Sequence, residues 1–225
     1  MHKLRTIEMD RLSVDEFKAS EKMPLVVVLD DVRSAYNVGS VFRTSDAFRV
    51  EKVCLCGITA TPPSSEIHKT ALGGEDSVDW EYYKDTADCV RSLHAQGYFV
   101  WSIEQVEHSV KLNELQENLS EDLSRHLRRR GDGATEPRHN EESMLPNSSK
   151  TSIITPPSEG SGKVIRGHAV IFGNEVKGVR QDIVDMSDAC LEIPQFGTKH
   201  SLNVSITAGI VIWEFAKRLI GKLRA

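Results

Sequence analysis

Leu25-Val-Val-Val-Leu29 is apolar at every position and follows Pro24, which ends any preceding helix. A strand with one wet face alternates apolar and polar residues. A continuous run is expected where both faces are covered, as in a parallel sheet between two layers of helices. Four later runs read as further strands: Val53–Gly57, Tyr98-Phe-Val-Trp-Ser-Ile103, His168-Ala-Val-Ile-Phe172 and Cys190–Ile193. Helical stretches alternate with them, at 37–48, at 85–96 ending near Gly97, around Val179–Met186 and over Leu202–Leu219. The alternation gives the fold class: α/β, a mostly parallel sheet flanked by helices.

Residues 6–19 read as a short helix, and Ser13-Val-Asp-Glu16 has capping-box spacing that allows a break near Leu12–Ser13. From 116 to 162 the chain is polar and lacks apolar periodicity, so it reads as a disordered insert with too little apolar surface to offset ordering entropy. The expected organisation is a short N-terminal helical arm (1–23) and one domain (24–225) that the insert at 116–162 interrupts.

Bulk properties narrow the class. No apolar run is long enough to span a bilayer, and the N-terminus has no apolar signal region, so a soluble cytoplasmic protein is expected. Four cysteines, Cys54, Cys56, Cys89 and Cys190, lack neighbours at zinc-ligand spacing and read as buried reduced thiols, so no metal is expected. A net charge of −5 gives no global support to nucleic-acid binding. A local basic surface is still available from Arg33, Arg43, Arg49, Lys69, Lys177, Arg180, Lys199 and His200. Arg128–Arg130 in the insert is either a solvated run or a further RNA contact.

Three loops stand out. Asn37-Val-Gly-Ser-Val-Phe-Arg43-Thr opens a helix whose apolar stripe is Val38, Val41, Phe42 and Phe48, with Arg43 off it. Asn37 is placed to cap that helix, Arg43 to pair with Asp46, and Gly39 to admit a close neighbour. Phe172-Gly-Asn-Glu-Val-Lys-Gly-Val179 follows a strand directly, where ligands of open α/β sheets bind. Either it is a tight turn with a capping Asn or its glycines bring backbone to a ligand. It matches neither the phosphate-binding P-loop nor the dinucleotide fingerprint. Ile193-Pro-Gln-Phe-Gly-Thr-Lys-His-Ser201-Leu-Asn203-Val-Ser leads into the last helix, with Ser201 as its expected cap and Leu202, Ile206, Ile210 and Trp213 as its expected core side. His68, in a Gly-rich charged stretch, is expected to cap a helix rather than to touch RNA.

Taken in this order, Asn–Arg, Gly-Asn-Glu, then Ile-Pro and Ser-Leu-Asn, the loops resemble the SpoU (TrmH-like) family of RNA ribose 2′-O-methyltransferases in the SPOUT superfamily. The resemblance covers residues from about 24 to 115 and from about 167 to 219. It implies a C-terminal trefoil-knot cofactor site for S-adenosyl-L-methionine, no metal, a homodimer and a tRNA or rRNA substrate. Carried over by motif position, it implies Asn37, Arg43, Glu175, Ser201 and Asn203 as catalytic residues and Gly173, Ile193 and Leu202 as cofactor contacts. Trp213 and Phe215 are then either dimer contacts or core. In the family the arginine is assigned to deprotonation of the 2′-hydroxyl. A guanidinium, a lasting positive charge with five N–H donors, is equally suited to holding a phosphate and the developing alkoxide.

Two other functions are open to such a chain: an RNA-binding protein that keeps the fold without catalysis, and a generic α/β small-molecule enzyme. Retention of all five catalytic positions argues against the first, and absence of RNA binding would favour the second. Only residues 1–23 precede the core, so substrate choice is expected from that arm, the dimer surface and the insert.

Overall fold

The computed structural model describes residues 2, 11–115, 165–198 and 201–219. The expected insert, Arg128–Arg130, Lys199 and His200 lie outside the described residues. Seven strands make one sheet: β1 (Met23–Asp30), β2 (Val50–Cys56), β3 (Trp80–Tyr83), β4 (Tyr98–Ile103), β5 (Val110–Lys111), β6 (Gly167–Phe172) and β7 (Ala189–Glu192). Their spatial order is β3-β2-β1-β6-β4-β7-β5. Every pairing is parallel, with Val27 of β1 opposite both Val53 and Val170. The expected knot involves the stretch 193–203, of which residues 199 and 200 are outside the described residues.

Helices cover both faces: α1 (Val14–Ala19), α2 (Ala35–Ala47), α3 (Ser65–Ala71), α4 (Gly74–Ser77), α5 (Thr86–Ala95), α6 (Gln181–Met186) and α7 (Val204–Leu219). Successive side chains of a strand point to opposite faces. Leu25, Val27 and Leu29 of β1 therefore pack with Val38, Val41 and Phe42 of α2 and with Ala208, Val211, Ile212 and Phe215 of α7. Val26 and Val28 join Cys54, Cys56, Ala169 and Ile171 on the other face, under Cys89, Val90 and Leu93 of α5 and Ile183 of α6. This double cover is why β1 and β6 are buried and largely apolar, Asp30 and His168 being their only polar side chains. All four cysteines are buried and unpaired.

Several expectations need correction. The helix expected at 37–48 begins at Ala35, because Ser34 is its cap: the Ser34 hydroxyl accepts from the Asn37 N–H at 3.3 Å. Asn37 lies within the first turn, and its side chain is used elsewhere. The last helix begins at Val204, and Asn203 rather than Ser201 takes the capping position, its Oδ1 accepting from the Ser205 N–H at 2.8 Å. With that start, the stripe facing the sheet is Val204, Ala208, Val211, Ile212, Phe215, Ala216 and Leu219. Leu202, Ile206 and Trp213 are exposed, and Ile210 is half-buried. The helix is apolar nearly all round, so periodicity alone could not say which side faced inward. The capping box at Ser13–Glu16 is formed, and α1 starts there at Val14.

The stretch 65–77 holds α3 and α4, joined by Leu72 and Gly73 in left-handed conformations. Gly39 is what lets α3 approach: a Cβ there would lie 2.2 Å from the Ile67 carbonyl oxygen and from Thr70 Oγ1. The neighbour that this glycine admits is thus another helix.

Candidate functional site

The carboxyl ends of β1 and β6 send out two loops that are tied to each other. Gly173 lies against the far side of its own loop, where a Cβ would come within 2.1 Å of Gly178 C and Val179 N. Asn174 and Gly178 exchange backbone hydrogen bonds at 3.0 and 2.9 Å. The Asn174 side chain closes the turn from inside: Oδ1 accepts from Val176 N (2.9 Å) and Lys177 N (3.2 Å). Its Nδ2 donates to the Asp31 carbonyl at 2.8 Å and fastens the turn to the end of β1. Asp31 itself is held at φ 54°, and its carboxylate accepts from the Ile58 N–H at 3.0 Å.

That fastening delivers Glu175 to the start of α2. Its Oε2 accepts from the Arg33 N–H at 3.0 Å, and its Oε1 from the Ser34 N–H at 2.9 Å and from Asn37 Nδ2 at 3.1 Å. Burial alone would raise the pKa of this carboxyl. The two backbone donors and the Asn37 amide outweigh burial and hold it below its ordinary 4.5. Asn37 Oδ1 then accepts from Asn203 Nδ2 at 3.2 Å. Amide orientations follow from this chain: Asn203 must turn its oxygen to Ser205, so its nitrogen faces Asn37, whose own nitrogen must face Glu175. Three residues from three segments of the chain, 138 and 166 positions apart in the pairwise links, thus form one oriented polar row.

The other expected site residues are distributed around this row. Arg43 is exposed on α2, six positions beyond Asn37, and no described residue gives its side chain a hydrogen bond or carboxylate. The expected pair with Asp46 does not form among the described residues. Arg43 contacts neither Asn37, Glu175 nor Asn203 through a hydrogen bond; its backbone packs on Gly74, whose Cβ would stand 3.2 Å from Arg43 Cα. Ser201 is exposed, two residues before Asn203. Ile193 follows β7 and is partly buried against the core, whereas Leu202 is 40% exposed. Near them Phe196 is 96% exposed, and Gly197 has open space where a Cβ would be. His68 does not cap α3; its Nδ1 stands 2.6 Å from Glu75 Oε1.

A second layer was not anticipated from sequence. Asp30, fully buried at the end of β1, accepts from the Thr86 hydroxyl at 2.5 Å and from the Arg180 N–H at 3.4 Å. Burial raises its pKa despite those donors. Glu104, just after β4, accepts from the Val179 N–H at 3.0 Å and fills the space beside Gly178, which has φ 69°. A carboxylate directly after each of two buried strands was the available signal. Among the described residues no group of three or more His, Cys, Asp or Glu is placed to hold a metal, and no helix is long and apolar enough to cross a membrane.

Comparison with known proteins gives one consistent result. The model of the SpoU rRNA Methylase family matches residues 24–131 and 133–213. The chain is 21% identical over 212 residues to the 23S rRNA (guanosine-2′-O-)-methyltransferase RlmB of Vibrio cholerae, covering 94% of this chain and 66% of the relative. The fold is shared with an AdoMet-bound rRNA methyltransferase from Sinorhizobium meliloti: TM-score 0.62, 22% identity, 89% of this chain and 58% of that one. It is shared also with a TrmH/SpoU tRNA modifying enzyme from A. aeolicus: TM-score 0.64, 18% identity, 93% of this chain and 83% of that one. The chain spans less than two thirds of the length of the Vibrio and Sinorhizobium proteins.

Proposed function

This chain belongs to the SpoU rRNA Methylase family, and from that premise we propose that it methylates a ribose 2′-hydroxyl of rRNA or tRNA, with S-adenosyl-L-methionine as donor. The observation that carries the reading is the row Glu175–Asn37–Asn203. Residues far apart in sequence are held in one orientation, and the helix that carries Asn37 also carries the exposed Arg43, which has no described partner.

The donor's fit rests on the ends of β6 and β7. Leu202 and Phe196 are exposed apolar groups, Gly197 has free space, and Ile193 and Gly173 directly follow their strands. That is a surface for an adenine ring with main-chain polar groups beside it. When bound, the donor supplies an electrophilic methyl carbon on a sulfonium. Transfer of that methyl to the 2′-oxygen would leave a neutral thioether, with the hydroxyl proton lost to a base or to water.

The residues' roles follow from their surroundings. Glu175 already accepts three donors, so we assign it to orienting Asn37 rather than to proton transfer. Asn37 and Asn203 each keep an amide N–H outside the row and are placed to hold the ribose. Ser201, beside them, is a further contact. Arg43 is a fixed positive charge, which suits it to a phosphate and to the alkoxide that develops on the 2′-oxygen. In-line placement of oxygen and methyl is the main demand of this chemistry, and it needs rigid loops rather than a metal.

We assign the exposed strip Ile206 and Trp213 of α7 to a second copy of the chain, which makes the protein a homodimer. We place it in the cytoplasm with its RNA, where four unpaired thiols are the expected state of cysteine. The test is incubation with methyl-labelled donor and with rRNA or tRNA that lacks modification. Label in one RNA pool supports the reading; donor binding with no label in either pool favours the RNA-binding protein without catalysis.

A further inference from the structure

Two residues at the mouth of this site have fixed backbones and unused side chains. Arg33 gives its N–H to Glu175 at 3.0 Å, yet its guanidinium is exposed and no described residue pairs with it. Tyr36 precedes Asn37 on the first turn of α2. Its carbonyl accepts from Ser40 Oγ at 2.9 Å and from Thr70 Oγ1 at 2.9 Å, which anchors its main chain to α3 as well as α2. Tyr36 is 45% exposed, and no described residue bonds its hydroxyl. An aromatic face on a rigid turn is a stacking surface obtained at small entropic loss, since only the side-chain torsions have to be fixed.

Recognition of unpaired RNA bases relies on such surfaces. A base splayed from its helix stacks on an aromatic ring, and a guanidinium beside it holds the neighbouring phosphate. Building on the reading above, we propose that Tyr36 is the stacking platform for the base at or next to the methylated ribose, and that Arg33 holds the phosphate of that nucleotide. Neither residue enters the chemical step. Both raise the occupancy of the site by an unstacked nucleotide, so the substrate class is a single-stranded or loop position of the RNA. Stacking tolerates any base, so this pair selects exposed nucleotides rather than a base identity.

The experiment compares Tyr36→Ala, Tyr36→Leu and Tyr36→Phe with the wild type on the RNA that accepts the methyl group. It also measures anisotropy of a labelled single-stranded oligonucleotide and of the donor's binding. Expected for Tyr36→Ala and Tyr36→Leu is a rise of about tenfold to a hundredfold in KM for RNA and in oligonucleotide Kd, with kcat and donor binding near the wild-type values. Tyr36→Phe keeps the ring and should stay within about twofold. Trp80→Ala is the control, since Trp80 is an exposed aromatic at the amino end of the edge strand β3, the end of the sheet opposite the site's loops. Arg33→Ala should weaken binding and flatten its dependence on salt.

Wild-type turnover with unchanged KM in Tyr36→Leu overturns this inference alone. Absence of turnover by the wild type overturns the functional reading, and the oligonucleotide arm then still decides for or against stacking. A change of oligomeric state in Tyr36→Ala would place the ring in a subunit contact and also overturn the inference.

Discussion

Replacing Glu175 by Gln separates the orienting role of this carboxylate from any other. In the native site Oε2 takes one donor, Arg33 N–H, and Oε1 takes two, Ser34 N–H and Asn37 Nδ2. A glutamine has one acceptor edge and one donor edge. The less costly orientation keeps the pair at Ser34 and Asn37 and turns –NH₂ toward the Arg33 N–H, so one bond is lost and a donor faces a donor. A hydrogen bond to a charged group is worth about 1.5–3 kcal/mol. Glu175 is exposed and water can reach its donors, so that figure is reduced to about 1–2 kcal/mol. For a domain of this size the loss corresponds to a fall in Tm of roughly 2–8 °C near neutral pH.

The sign of the pH dependence is fixed by the same contacts. The folded pKa of Glu175 lies below its ordinary 4.5. Its contribution is therefore fully present above the unfolded pKa and is lost as pH falls through the folded value. Glutamine does not titrate, so the Tm gap between wild type and Glu175→Gln should be widest at about pH 7 and should narrow once the carboxylate takes a proton. The other carboxyl groups titrate in both proteins and cancel. Scanning calorimetry over a series of pH values reads this directly. A gap that is absent at neutral pH, or that stays constant down to the lowest pH at which both proteins fold, would refute the reasoning.

Three other perturbations follow from the structure. Arg43→Ala should leave the unfolding free energy within about 0.5 kcal/mol of the wild-type value, because its guanidinium has no described partner. Methyl transfer by the same variant should fall by about a hundredfold or more, and Arg43→Lys should restore part of it if charge rather than the fork is what matters. Gly39→Ala drives a Cβ to 2.2 Å from the Ile67 carbonyl oxygen, a backbone atom that cannot rotate away; thermal denaturation should show a loss of about 1–3 kcal/mol. Ile206→Asp together with Trp213→Asp places two charges on the exposed strip of α7; light scattering should show a dimer becoming a monomer while the circular dichroism of the subunit is unchanged.

The central strands were legible because their signal is unambiguous. Tyr98–Ile103 coincides with its expected bounds, and β1 and β6 extend theirs by one or two residues at the ends. Strands β3 and β5 were not visible: Trp80–Tyr83 is a short edge strand with exposed aromatics, and Val110–Lys111 is only two residues long. Helix starts were misplaced for one reason. Asn37 and Ser201 both have capping chemistry, but Ser34 and Asn203 are in the positions that the helices use, and the sequence does not say which polar side chain is reserved for a partner across the fold. The three loops pointed to the row Asn37–Glu175–Asn203, yet not to its order or to Glu175 as an acceptor of backbone N–H groups. The inward side of α7 was beyond pattern reasoning, since Ile206 and Trp213 are as apolar as Val211 and Phe215. Long-range supports such as Asp31 to Asn174, 143 positions apart, have no local signature at all.

The most direct test is where the methyl group ends up. RNA treated with the protein and donor is digested to nucleosides, and mass spectrometry locates the added methyl on ribose or base. The account expects a 2′-O-methylated nucleoside with wild-type protein and its loss with Arg43→Ala. Methylation of a base, or ribose methylation that survives Arg43→Ala unchanged, would contradict it.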